Sequence, residues 1–217
     1  VSHELRTPIT SIRLLADTLK RDSLCGEGRG MQLLDKINDE ADTLQQIAQE
    51  LLDLVMIESG RAEFILKPVE AAEIVERALE HFSEQLSRGQ LTVMMDAEPG
   101  LMALADVQQA DRVLSNLLHN AIKFTPPGGR IKIEVRPAGE WLRFSITDSG
   151  PGIAPEERSR VFERFYRGDR ARQGGGTGLG LAIAKHIVHS HGGEIYAEES
   201  PHPPGTRITF TLPTPDR

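Results

Sequence analysis

The chain has 217 residues, 39% of them hydrophobic and 26% charged, with a net charge of −7. That length admits one large or two ordinary domains, and the composition is that of a globular chain rather than a disordered one. The acidic balance argues against a mainly nucleic-acid-binding role, which wants a basic face, and no run approaches the roughly 18 apolar residues of a membrane span.

The first segment reads VSHELRTPIT. It has no initiating methionine, helix cap or signal peptide, and the expectation is a fragment of a longer protein. From here to about residue 60 a heptad rhythm holds. Leu5, Ile9, Ile12, Ala16 and Leu19 are spaced 4, 3, 4, 3, and Leu34, Ile37, Ala41, Leu44, Ala48, Leu51 and Val55 continue it. Between them lies DSLCGEGRG (22–30), rich in breakers. Its Cys25 is the sole cysteine, so no internal disulfide or cysteine zinc cluster can form, which fits a reducing compartment. Two long helices joined by a turn make an antiparallel hairpin. Two helices alone cannot enclose a core, and the simplest completion is a second copy, giving a dimeric four-helix bundle. The other completion is packing of the hairpin on the rest of its own chain.

After Gly60 the pattern turns to mixed α and β. The expected elements are a short strand at 62–66, an amphipathic helix over 68–86, and strands at 91–96 and 101–105. Asp106 then caps a helix running to about Phe124. A hairpin follows at 130–137 and 140–148, and a polar, glycine-rich stretch at 163–178. A helix to about His191 and strands at 194–199 and 206–213 complete the chain. This predicts an α/β sandwich, a mixed sheet with helices on one face.

Three stretches of this half carry chemistry. On the helix ending at Phe124, Val113, Leu114, Leu117, Leu118 and Ala121 share one side, while Asn116, Asn120 and Lys123 share the other. Asn116 and Asn120 stand one turn apart. An amide oxygen suits a hard cation such as Mg²⁺, which also takes phosphate oxygens, and an ammonium nearby can meet a phosphate. The bland alternative is a solvated helix face. Next, SITDSGPGIAP (145–155) ends a strand at Asp148 and continues with glycines that permit close backbone approach to a ligand. It is also good turn chemistry. Finally, GGGTGLGLAIAKH (174–186) runs glycines directly into an apolar helix, whose first N–H groups form an anion site. Gly176-Thr177-Gly178 followed by Glu198 and Glu199 also invites a dinucleotide-binding reading. The polar RGDRARQGG (167–175), however, stands where that motif needs a strand and reads as a mobile lid. His186, His189 and His191 invite a metal reading, but lack partners at matching spacing. A cation near a helix C-terminus is their simpler explanation.

In this order the segments resemble the catalytic region of histidine kinases. VSHELRTPIT is similar to the phosphoacceptor motif, NLLHNAIKF to the N box and DSGPGIAP to the first glycine box. VFERFYR resembles the F box and GGGTGLGLAIAKHIV the second glycine box. Phe124 stands where the family often has tyrosine. The resemblance implies a dimerisation and histidine-phosphotransfer hairpin over 1–61. An ATP-binding domain over 62–217 would follow, of the kind shared with gyrase, the heat-shock-ninety chaperones and mismatch-repair ATPases.

It further implies that His3 accepts the γ-phosphoryl group of ATP, with Glu4 as general base or orienter, and passes it to a response-regulator aspartate. Thr7 would position water for dephosphorylation of that regulator. Pro8 has no N–H to donate to the Glu4 carbonyl and crowds it, and a bend of the helix beside His3 is expected from that alone. ATP and Mg²⁺ would be held by Asn116, Asn120 (the metal ligand), Lys123 and Phe124. Asp148, Gly150, Gly152 and Ile153 would edge the adenine pocket. Arg164, Phe165 and Arg167 of the F box would join them, with Gly176, Thr177, Gly178, Leu179, Gly180 and Leu181 of the second glycine box. The expected partners are a second copy and a receiver domain, without nucleic acid. The expected location is cytoplasmic, with membrane contact only through upstream regions absent from this chain. A nucleotide-gated interaction module without kinase chemistry, and a dinucleotide oxidoreductase, are the rival functions.

Overall fold

The computed structural model describes residues 2–21, 27–58, 63–168 and 177–215; within the helices, the side chains of 2–7, 20, 21, 27–29, 46, 53, 57 and 58 lie outside the described set. The chain forms two compact units, Val1–Val55 and Met56–Arg217, dividing a few residues ahead of the 61/62 boundary expected from sequence.

The first unit is a pair of helices, α1 (Ser2–Arg21) and α2 (Glu27–Glu58). Leu19 lies beside Gly30, and the Ser11 hydroxyl donates to Glu40 at 3.0 Å, so the two run antiparallel. α1 continues as a helix through Pro8, which is buried. Much of the heptad stripe stays open in the single chain. Ile9 is 53%, Leu34 45% and Val55 59% exposed.

The second unit begins with β1 (Lys67–Glu70), α3 (Ala71–His81) and α4 (Ser83–Arg88). β2 (Thr92–Ala97), β3 (Met102–Ala105) and α5 (Val107–Phe124) follow. Then come β4 (Arg130–Ala138), β5 (Trp141–Asp148), α6 (Gly180–Ser190), β6 (Ile195–Glu199) and β7 (Thr206–Pro213). Five strands form a mixed sheet in the order β2-β4-β5-β7-β6. Only β2 and β4 are parallel; the other neighbours are antiparallel.

Two local expectations are corrected. Residues 63–66 form no strand; the strand is the next four residues, paired antiparallel with β3 in a separate two-stranded sheet. Pro68 therefore sits in a strand rather than opening a helix, which an edge strand tolerates. The expected helix over 68–86 is also two helices. It breaks at Phe82, which is buried with its ring stacked on His119 at 6.5 Å.

Strand alternation explains the core. Ile131, Ile133 and Val135 of β4, Leu142, Phe144 and Ile146 of β5, and Ile208, Phe210 and Leu212 of β7 are all buried. Phe144 and Phe210 are register partners and stack at 4.8 Å. The buried faces of the helices supply the rest, including Ile74 and Val75 of α3, Leu114, Leu117 and Leu118 of α5, and Ile183 and Ile187 of α6. The opposite sheet face carries charges, with Arg207 3.0 Å from Glu134 and Lys132 2.7 Å from the same carboxylate. Among the described residues no helix is long and apolar enough to cross a membrane.

Candidate functional site

α5 is capped as its sequence demands: the Asp106 carboxylate accepts from the Gln108 and Gln109 amides, both at 3.1 Å. The buried side is Ala110, Val113, Leu114, Leu117, Leu118 and Ala121. Helical phase then leaves Asn116, Asn120 and Lys123 on the other side, all half-buried. The Lys123 ammonium lies 5.2 Å from the centre of the Phe124 ring. Burial, and then the nearby Arg167 guanidinium, push its pKa below the usual lysine value. Two cations drawn together at a half-buried place suit an anion.

The N-terminus of α6 faces Asn116. A Cβ placed on Gly180 would stand 2.9 Å from the Asn116 amide oxygen. The preceding residue, Leu179, is fully buried and offers no side-chain cap, so the first-turn amides of α6 have no capping side chain and the helix dipole points at the asparagine face. Thr177 braces the turn by accepting from the Leu179 amide at 3.2 Å, and Leu181 is half-buried in the first turn. Gly178 has φ of +72° and lies so close to Phe165 that a Cβ would meet its carbonyl carbon at 2.9 Å. The Phe165 amide donates to the Gly178 carbonyl at 3.0 Å. The F box is thereby pinned to the second glycine box, and Phe165 takes φ of +60° to allow it. Arg164 acts on His186 of α6, adding to the burial that lowers that ring's pKa.

Asp148 continues the inward parity of Leu142, Phe144 and Ile146, so a carboxylate lies on the apolar face of the sheet, 9% exposed. Burial raises its pKa, against opposing hydrogen bonds. Its Oδ1 accepts from the Gly150 amide at 2.8 Å and from the Thr206 amide at 3.2 Å, and the nearby Thr206 side chain opposes the rise in pKa as well. Gly150 packs on the end of α5, where a Cβ would stand 2.7 Å from the Phe124 carbonyl oxygen. Gly152 has φ of +79° against the Gly205 carbonyl. Gly152, Ile153, Arg167 and Gly205 line an open cleft of about 640 Å³.

The structure thus joins the three stretches and the VFERFYR segment: Asn116 to Gly180, Phe124 to Gly150, Lys123 to Arg167, and Phe165 to Gly178. Gly176 and the expected lid at 167–175, apart from Arg167 and Gly168, lie outside the described residues. So do the side chains of His3, Glu4 and Thr7, whose backbone is in the first two turns of α1. Sequence reasoning missed Thr206 and Gly205, since only strand pairing brings β7 beside Asp148; the Gly-Thr opening of a strand was the one available signal. It also misjudged His191 as a cation. The ring is buried, and its Nε2 accepts from the Asp106 amide. The dinucleotide alternative fails on topology, which needs a doubly wound parallel sheet. No group of three or more metal-binding side chains occurs among the described residues.

Comparison with known proteins gives the family of both units. Residues 105–216 match the family described as "Histidine kinase-, DNA gyrase B-, and HSP90-like ATPase", and residues 1–60 match the "His Kinase A (phospho-acceptor) domain". The sensor-like histidine kinase SenX3 of Mycobacterium tuberculosis is 37% identical over 217 residues, covering 99% of this chain and 52% of that protein. The chain therefore spans about half the length of such relatives. The structure of a mycobacterial sensor histidine kinase, MprB, is 36% identical with a TM-score of 0.63, covering 70% of this chain and 100% of that one. Histidine kinase ThkA, solved in complex with the response regulator protein TrrA, is 26% identical with a TM-score of 0.81, covering 99% of this chain and 60% of that one.

Proposed function

The chain belongs to the sensor histidine kinase family, and from that premise we propose that it is the autokinase core of a two-component system. Residues 1–61 act as the dimerisation and phosphoacceptor hairpin and 62–217 as the ATP-binding domain. The observation that carries the reading is the contact of Asn116 with Gly180. It sets an amide-bearing helix face against the uncapped start of a second helix, which is a cradle for polyphosphate.

The purine end fits Asp148. An ionised carboxylate has about four acceptor positions. The Gly150 and Thr206 amides both go to Oδ1, leaving Oδ2 for the exocyclic amine of adenine. Lys123, Arg164 and Arg167 offset phosphate charge. The donor set suits Mg²⁺ only with the triphosphate supplying most of its ligands, since Asn120 offers a single amide oxygen. Bound there, the ion supplies further charge neutralisation.

His3 attacks the γ-phosphorus through a ring nitrogen lone pair. The new N–P bond forms as the bond from phosphorus to the β,γ-bridging oxygen breaks, and ADP leaves. Glu4 holds the proton on the other ring nitrogen. The phosphoryl group then passes to a receiver-domain aspartate, and Thr7 positions water for the reverse, phosphatase, reaction. A second copy covers the exposed heptad stripe, and the cytoplasm is the proposed site of action.

The deciding experiment is incubation with γ-labelled ATP and Mg²⁺. Wild type is expected to take up acid-labile, base-stable label, and His3→Gln and Asn120→Ala to take up none. Label persisting in His3→Gln sinks the site assignment, whereas ATP binding without label favours a nucleotide-gated interaction module.

A further inference from the structure

One buried titratable group in the second unit has no part in this chemistry. His191 is 5% exposed and stands at the C-terminal end of α6. Its Nδ1 lies 2.8 Å from the Ile187 carbonyl oxygen, and its Nε2 lies 3.0 Å from the Asp106 amide nitrogen at the start of α5. A carbonyl can only accept and an amide N–H only donate. Nδ1 therefore carries the proton, Nε2 presents a lone pair, and the ring is neutral. Burial is the main influence on its pKa and pushes it down, outweighing the Ile187 bond and the Asp106 charge.

The same point gathers a third piece of chain. The Phe64 ring meets the imidazole edge-on at 5.2 Å, and the Ile65 amide donates to the second carboxylate oxygen of Asp106 at 2.9 Å. Elsewhere the buried faces of α5 and α6 are apolar, including Leu114, Leu117, Ile183 and Ile187. Apolar burial holds helices together but is non-directional, so it resists sliding weakly. A hydrogen bond constrains position to a few tenths of an ångström. The gap at the other end of α6 is tight, as the Asn116 contact with Gly180 shows.

We propose that His191 is a positioning residue for the nucleotide: bonded to Ile187 and to the Asp106 amide, it sets the register of α6 against α5, and so the space between Gly180 and the asparagine face. This rests on the nucleotide reading given above. In this role the ring must stay an acceptor. Protonation converts Nε2 to a donor facing a donor, and the Asp106 amide loses its partner. Asp106 is the acidic side chain that faces the ring from α5, and His189 is the nearest histidine along α6.

The test measures binding of a non-hydrolysable ATP analogue with Mg²⁺, beside melting temperature, on the whole chain. His191→Phe keeps a ring against Phe64 but strands the Asp106 amide; His191→Gln returns an acceptor to it. At pH 8 the Phe variant is expected to bind roughly tenfold more weakly, and the Gln variant to recover most of that loss. As pH falls below 6.5, the ordinary histidine value, wild-type affinity should drop more steeply than that of the Gln variant. The readout is the difference between the two profiles, because titration of the triphosphate is common to both. Wild-type affinity in a folded Phe variant overturns the proposal. So do parallel profiles for wild type and Gln, a comparison that decides the matter even where the Phe variant does not fold. Failure of wild type to bind the analogue at any pH overturns the nucleotide reading itself, and the positioning role with it.

Discussion

In the second unit Phe144, Phe210 and Leu117 are at most 1% exposed, whereas in the helical hairpin Ile9, Leu34 and Val55 keep 53%, 45% and 59% of their surface. Both sets sit at regular positions of a hydrophobic pattern. The difference lies in what each unit has to pack against. A five-stranded sheet offers one broad face, on which α5 and α6 lie while α3 packs against α5. An antiparallel helix pair offers only a seam, and a heptad stripe wider than that seam is left over. One unit encloses its own apolar pattern, and the other, in the single chain, leaves part of its stripe open.

Damaging each pattern once separates the two units. Phe144→Ala removes a fully buried ring stacked on Phe210 and should destabilise the second unit by about 3–5 kcal/mol. Urea unfolding should show this loss at every protein concentration. Leu34→Asp strikes the stripe instead. Denying burial to one leucine should cost the dimer about 1.5–3 kcal/mol per copy, read by sedimentation as a shift to monomer. The second unit's unfolding should not move. If Leu34→Asp leaves the dimer intact, the stripe is covered by something other than a second copy.

How much of this was legible in the sequence depended on the range of the interaction. α5 was readable end to end, because the Asp106 cap, the apolar stripe and the asparagine face are all set within a turn or two. The glycines were readable as glycines, but their reason was not. Gly180 lets the Asn116 amide lie close against the start of α6, and Gly150 is needed because the backbone at the end of α5 lies against it. β1 was misplaced by a few residues because the bonds that make Lys67–Glu70 a strand come from β3, some 35 residues later by register. His191 misled for the same cause. Its position suggested a charge paired with a helix dipole, while its true partner is an amide 85 residues away.

A subtler probe asks what self-containment costs at the site. Asp148 lies on the face that elsewhere holds Leu142, Phe144 and Ile146, and its folded pKa is raised above 3.8 by burial. For a carboxyl raised in this way, the folded state binds more protons than the unfolded state between the two pKa values. Stability is then greatest below the unfolded value and falls as pH rises through the folded one. At neutral pH the ionised carboxylate is therefore a net burden on the fold. Asp148→Asn keeps an oxygen for the Gly150 and Thr206 amides but sheds the charge. Its melting temperature at pH 7 should rise slightly, with the gain shrinking toward acid pH, while binding of an ATP analogue is lost. That combination would mark Asp148 as a charge the core carries for its ligand. A fall in melting temperature at neutral pH would instead mean that its hydrogen bonds outweigh burial and that the carboxylate is part of the framework.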